Sequence, residues 1–220
     1  MVPLYTILPL VTCLSINCVV YFMIRLFTAD AYHYDFTTSF DRMVPFEPAW
    51  VSVYLVCYAF WIYNYILIMR QSKEHCYRFV TADILSRLVC GVFFLFMPTT
   101  NVRPEIIGNG IWENLMRWLY NFDAPTNLFP SIHCLVSWFC YVGIRGRKNI
   151  PAWYRAFSCI FALLVCVSTQ FTKQHYVVDI FGGIILAEIL WALSRHHDWY
   201  KKVMPVLEAV SGKIFGKENI

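Results

Sequence analysis

Six separate apolar segments, each near the length of one membrane-crossing helix, dominate this chain of 220 residues and leave few folds open to it. They fall at residues 2–24, 49–69, 79–97, 129–145, 155–171 and 176–194. A hydrocarbon core roughly 30 Å thick offers backbone amides no water, so a crossing segment has to satisfy its own hydrogen bonds, which the α-helix does. Hydrophobic residues make up 59% of the chain and charged ones 15%, more apolar surface than a soluble globule of this size needs for one core. The expected fold is all-α, a polytopic membrane bundle of about six transmembrane helices. No repeat, low-complexity stretch or composition shift divides the chain, so residues 1–220 read as a single integral membrane domain. The first segment has no basic run before it and no small-residue cleavage site after it, and reads as a retained anchor.

The charges between the segments set an orientation. Arg70, Lys73 and Arg78, then Arg145, Arg147 and Lys148, then Arg195, Lys201 and Lys202 fall in alternate connections, which the positive-inside rule places in the cytoplasm with both termini. The intervening connections then face outward, and the first of these is acidic, with Asp30, Asp35, Asp41 and Glu47. This pattern points to a multi-pass protein of the plasma membrane. The net charge of +4 comes in short runs and not in one interleaved stripe, so it speaks for topology and against nucleic acid. Eight of the nine cysteines lie inside apolar segments and read as small buried thiols. Asp83 and Arg87, four apart in the third segment, are expected to form a self-contained ion pair. Residues 112–122, apolar and aromatic with Glu113 and Arg117, are expected to form a short interfacial helix between spans three and four. Glu188 stays open between a helix-pairing role and a second polar pathway, and His196 with His197 reads as solvated residues of the basic run.

Three polar clusters converge on the outward ends of spans three to six, within residues 96–104, 129–134 and 168–179. His175 and Asp179 are four apart and share a helical face, so the carboxylate can take a hydrogen bond from one ring nitrogen and leave the other with its lone pair free. His133 follows Pro130 at a helix start, where unpaired N–H groups favour an anion. Arg103, Lys173 and Ser131 add donors suited to phosphate oxygens, while Ser168 reads equally well as a packing hydroxyl.

These residues resemble the type 2 phosphatidic acid phosphatase superfamily of membrane lipid phosphatases and phosphotransferases over residues 96–183. The resemblance rests on Arg103-Pro104, on Pro130-Ser131-Ile132-His133, and on Ser168 with His175 and Asp179 at the family's spacing. It implies His175 as the nucleophile that forms a phosphohistidine, Asp179 as its orienting partner, and His133 as the acid that protonates the leaving alkoxide. Arg103, Lys173, Ser131 and Ser168 would hold the phosphate, with no cofactor and no metal. Phe96, Ile132 and Thr169 stand where the phosphatase pattern has Lys, Gly and Arg, so two of its cations are missing. Lys173, two residues before His175, is the nearest replacement in sequence.

The expected partners are a lipid phosphate substrate and the surrounding membrane lipids. The expected reaction is hydrolysis of a lipid phosphomonoester or pyrophosphate. The alternatives are transfer of a phospho-headgroup to a lipid alcohol, as in sphingomyelin or inositol phosphorylceramide synthases, and a non-catalytic membrane protein retaining the fold. A two-histidine, one-carboxylate metal site is a further reading of His133, His175 and Asp179, disfavoured by the neighbouring Arg and Lys, which would repel a cation.

Overall fold

The computed structural model describes residues 3–216. Position 2, where the first apolar segment starts, and positions 217–220 of the expected domain lie outside the described residues. Nine helices follow one another among the described residues: α1 (Ile7–Phe27), α2 (Ser39–Met43), α3 (Val51–Met69), α4 (Lys73–Phe96), α5 (Ile111–Phe122), α6 (Ile132–Val142), α7 (Ala152–Phe171), α8 (Val177–His196) and α9 (Tyr200–Phe215). The bundle is all-α, and the only strands among the described residues, β1 (Tyr34–Asp35) and β2 (Thr99–Thr100), form one short parallel pair.

Among the described residues five helices are long and apolar enough to cross a membrane: Leu4–Phe27, Pro48–Met69, Lys73–Phe96, Ala152–Phe171 and Val177–His196. The fourth expected span is different, because α6 has 11 residues and at 1.5 Å per residue covers only about 16 Å. Its start is delayed to Ser131, which caps it by accepting the Cys134 N–H at 3.2 Å, and it ends at Gly143. The helix packs against α3, α7 and α8, and in the irregular chain before it Asn127, Leu128 and Pro130 are buried within the protein, the condition under which non-helical backbone is tolerated at depth.

The amphipathic segment forms α5 as expected, and it buries Met116 and Leu119 against Val51 and Tyr54 at the start of α3. Asp83 and Arg87 form the expected pair at 2.8 Å, fully buried, and Tyr65 of α3 adds a hydrogen bond to the same carboxylate oxygen at 2.7 Å. Glu188 takes both guanidinium nitrogens of Arg145 at 2.8 Å and the Trp138 indole N–H at 2.9 Å, which makes it a helix-pairing residue. All nine cysteines are free thiols. His196 and His197 are exposed, and the His197 ring stacks on Trp199 with centroids 4.9 Å apart. Helix α9, which the apolar pattern does not announce, follows α8 directly and packs on α4.

Candidate active site

His133 and His175 meet at one end of the bundle, with ring centroids 5.7 Å apart. Each is placed by a different local device. Helix α7 ends in a Schellman motif: the Lys173 N–H donates to the Gln170 carbonyl at 3.1 Å and the Gln174 N–H to the Thr169 carbonyl at 2.9 Å. The left-handed position is Lys173 (φ 53°), where a side chain costs about 1–2 kcal/mol. That conformation is held from outside, because the Lys173 ammonium donates to the carbonyls of Asp41 at 2.8 Å and Val44 at 2.5 Å. Asp41 is itself buried and ties three segments together. Its carboxylate accepts from the Thr38 hydroxyl (2.6 Å), the Gln170 amide (3.0 Å) and the Val177 N–H (2.8 Å) that opens α8. Burial opposes that charge, but these donors outweigh it and hold the Asp41 carboxyl below its ordinary range.

The tight turn between α7 and α8 presents His175. Its Nδ1 donates to the Leu128 carbonyl at 3.1 Å; since a carbonyl only accepts, the proton sits on Nδ1 and the Nε2 lone pair is free. Asp179 lies 3.8 Å from the same nitrogen, an ion-pair separation too long for a hydrogen bond. The expectation that Asp179 accepts the ring proton therefore changes: its carboxylate is occupied in taking the Tyr176 N–H at 2.8 Å, and Leu128 fixes the tautomer. Asp179 acts on the ring through its charge. Burial disfavours the protonated imidazole, yet the Asp179 carboxylate outweighs it and raises the His175 pKa above its usual value. Leu128 is held in turn by Thr99, whose hydroxyl accepts the N–H groups of Leu128 and Phe129, each at 2.9 Å.

His133 is the second residue of α6. Tyr54 and Tyr58 of α3 place their hydroxyls 3.3 Å from Nδ1 and Nε2 respectively, and the Tyr54 ring stacks on the imidazole at 4.4 Å. The start of α6 is locked to α8 by the Ser131 N–H, which donates to the Asp179 carbonyl at 3.1 Å. The two helices touch at Gly183, where a Cβ would sit 2.5 Å from the Ser131 carbonyl oxygen.

A cavity of about 230 Å³ opens beside both imidazoles, lined among others by Tyr21, Tyr58, Thr126 and Gln174. Two donors of this lining, the Gln174 Nε2 and the Thr126 hydroxyl, are buried without a partner, as are the acceptors Asn17 Oδ1 and Asn127 Oδ1, and Asp123 adds a carboxylate that accepts from the Tyr21 hydroxyl. None of the four anion-binding candidates lines this cavity; Arg103 is tied to its wall, donating to the Gln174 side chain at 2.6 Å and to the carbonyls of Asp123 and Tyr120, with its guanidinium carbon 4.4 Å from the Tyr120 ring centroid. Burial lowers its pKa, with Asp123 opposing. The Ser131 hydroxyl is spent as the α6 cap, and Ser168 donates to the Val165 carbonyl at 2.7 Å inside α7. Lys173 faces α2, away from the cavity. A second cavity of about 210 Å³ shares Asn17, Cys18 and Tyr58 with the first and runs between α1 and α3 as far as Leu10 and Tyr65.

A family model described as the PAP2 superfamily matches residues 30–193, which is most of the chain and takes in both histidines. The chain belongs to the PAP2 superfamily. Members of the PAP2 superfamily are in general phosphoric ester hydrolases or related phosphotransferases, and the five long apolar helices of this chain suit a membrane protein. It is also similar to an uncharacterized protein of Methanocaldococcus jannaschii, 24% identical over 99 residues, which are 45% of this chain and 39% of that protein. The chain thus spans well under half the length of this curated relative. No solved structure matches.

In this PAP2-superfamily chain the two positions that depart from the phosphatase cation pattern are occupied by side chains of other character. Phe96 ends α4 largely exposed, and the buried Thr169 hydroxyl donates to the Cys166 carbonyl at 2.7 Å. Tyr54, Tyr58, Asp41, Thr99 and Gln174 join the site without having been singled out in the sequence. Among the described residues no group of three or more His, Cys, Asp and Glu side chains is arranged to hold a metal ion.

Proposed function

We propose that the protein is a lipid phosphatase that hydrolyses a phosphomonoester or pyrophosphate through a phosphohistidine on His175. The observation that carries this reading is the pair of imidazoles 5.7 Å apart beside a cavity with unpartnered donors. His175 Nε2 attacks phosphorus, the phosphorus–alkoxide bond breaks, and the leaving oxygen takes a proton from His133. A water molecule then gives its proton to His133 and its oxygen to phosphorus, which frees His175 and releases phosphate. The amino end of α6 and the donors of Gln174, Thr126 and Arg103 would meet the phosphoryl oxygens. The slot between α1 and α3, continuous with the site, would take the hydrocarbon chain. With the basic runs in the cytoplasm, the site faces the outer leaflet of the plasma membrane.

Phe96 and Thr169 favour a second reading, transfer of a phospho-headgroup to a lipid alcohol, because the phosphatase cations are missing at those positions. One assay separates the two. Purified protein is given phosphatidic acid, phosphatidylglycerol phosphate or a prenyl pyrophosphate, with and without an acceptor alcohol. Free phosphate supports hydrolysis and a new phosphodiester supports transfer. A His175→Ala variant that keeps full biological function would reject both in favour of a non-catalytic role.

A further inference from the structure

The largest cavity described lies at the other end of the bundle, about 580 Å³, between the start of α4, the 143–147 turn and the end of α8. Its wall carries four arginines, Arg78, Arg145, Arg147 and Arg195. Two are neutralised: Arg78 pairs with Glu74 at 2.8 Å and Asp198 at 2.9 Å, and Arg145 pairs with Glu188 at 2.8 Å. The other two are not. Among the described residues no carboxylate lies within ion-pair distance of Arg147 or Arg195.

Arg147 is instead turned onto a neutral acceptor. Its guanidinium donates to His75 Nδ1, while His75 Nε2 donates to the Gly143 carbonyl at 2.8 Å, so this imidazole uses its lone pair on the arginine and contributes no negative charge. Burial first and the like charge of Arg195 second hold the Arg147 pKa below its usual value, and Glu74, which lines the same cavity but is paired with Arg78, only partly offsets them. The amino end of α4 adds the positive pole of a 24-residue helix to the same wall, with Ser72 and His75 lining it. Gly146, at φ 81°, leaves open space where a side chain would stand.

We propose that this cavity is a binding site for a phosphate-type anion, gripped by Arg147 and Arg195 over the start of α4, at the end of the bundle opposite the two imidazoles. Two guanidiniums suit the several acceptor oxygens of a phosphate, and both an anionic lipid headgroup and free phosphate carry that group. The site is independent of the catalytic reading.

The test is titration of the full-length, detergent-solubilised protein with inorganic phosphate, with short-chain phosphatidic acid and with short-chain phosphatidylcholine, read by calorimetry and by the melting temperature. Saturable binding of both phosphate and phosphatidic acid identifies the phosphate group itself as sufficient. Binding of phosphatidic acid alone identifies a lipid headgroup. Binding of neither, or equal binding of phosphatidylcholine, overturns the proposal. Arg195→Gln, which removes a side chain with no described partner, is expected to weaken binding roughly tenfold or more, and Arg147→Gln to do the same. Lys202→Gln, a nearby charge outside the cavity, should leave affinity unchanged; an equal loss there would mean diffuse attraction and no site. His175→Ala should also bind normally, and loss of binding in that variant would relocate the anion to the other end of the molecule.

Discussion

The contact between α6 and α8 at Gly183 gives the sharpest test of how the site is assembled. An alanine Cβ at 183 would stand 2.5 Å from the Ser131 carbonyl oxygen, 3.0 Å from the Leu135 amide nitrogen and 3.3 Å from the Cys134 Cβ. Ordinary contact begins near 3.4 Å, so the start of α6 has to retreat by 3.4 − 2.5 = 0.9 Å from α8. The obstructing atoms are backbone, so no rotamer change relieves the overlap. His133 lies two residues from Ser131 and moves with it, whereas the backbone of His175 belongs to the α7–α8 turn and only its ring is tied to Leu128. Misplacement by about 1 Å costs on the order of 100-fold in rate, and overpacking costs roughly 1–3 kcal/mol in stability. Gly183→Ala should therefore lower kcat about 100-fold in a phosphate-release assay while leaving a folded, somewhat less stable protein by thermal melt. Gly182→Ala is the matched control: its Cβ would also meet an atom at 2.5 Å, but that atom belongs to the side-chain ring of Phe129, which packs on Phe36 and Phe93, and not to the backbone of α6. It should retain most of the activity. Wild-type turnover in Gly183→Ala, or equal damage in both variants, would refute the claim that this backbone contact sets the distance between the imidazoles.

His133→Ala should reduce turnover of a lipid phosphomonoester roughly 100- to 10,000-fold, and His175→Ala should abolish the covalent intermediate, both followed by phosphate release and by isotope labelling of the protein. The pH profile carries a sign. Attack needs neutral His175, whose pKa is raised by Asp179 against the effect of burial, so kcat/KM should fall as pH drops through that raised value. Asp179→Asn removes the charge and should move the acid limb to lower pH while reducing the maximum; an unmoved limb would mean that a different group is titrating. Asp41→Ala removes the carboxylate that accepts the Val177 N–H and the Gln170 amide, while the main-chain carbonyl that takes the Lys173 ammonium stays; loosening the start of α8 should lower both melting temperature and activity. Treatment with EDTA should leave activity unchanged, and its loss would favour the metal reading.

Much of this was legible from residue order, for identifiable reasons. Apolar length located the long helices because the bilayer imposes that length, and the four-residue spacing placed Asp83 beside Arg87 because a helix puts such positions on one face; His175 comes near Asp179 by another route, since it stands in the turn before α8 and shares no helical face with it. The short α6 was hidden, since hydropathy sees the apolar residues Leu128 and Phe129 and is blind to the loop they sit in. The acceptor for His175 was invisible for a different reason: it is the main-chain oxygen of Leu128, and a backbone group leaves no mark on composition. Tyr54 and Tyr58 belong to a span crowded with aromatics, so nothing in the pattern distinguishes the two that reach His133. Asp41 did carry a local signal, the Thr38-x-x-Asp41 capping box, but its reach to Val177 is long-range.

Lys173 shows why nearness in sequence misleads at a helix end. Two residues from His175, it looks like a replacement for the missing cations. The left-handed conformation that closes α7 turns it toward α2 instead, and burial there lowers its pKa while the Asp41 and Val44 carbonyls accept hydrogen bonds from its ammonium. Arg103 is similarly engaged, in carbonyls, Gln174 and the Tyr120 ring. The cations at the site end therefore serve first to hold its loops. On the proposed function, the charge of a phosphoryl group would fall to neutral donors, to the amino end of α6 and to Arg103 through Gln174. At the opposite end the balance is reversed, with Arg147 and Arg195 lacking any carboxylate partner among the described residues. A site that relies on neutral donors binds its anion weakly in the ground state, and so its rate should depend more on the 5.7 Å imidazole spacing than on any single lysine or arginine.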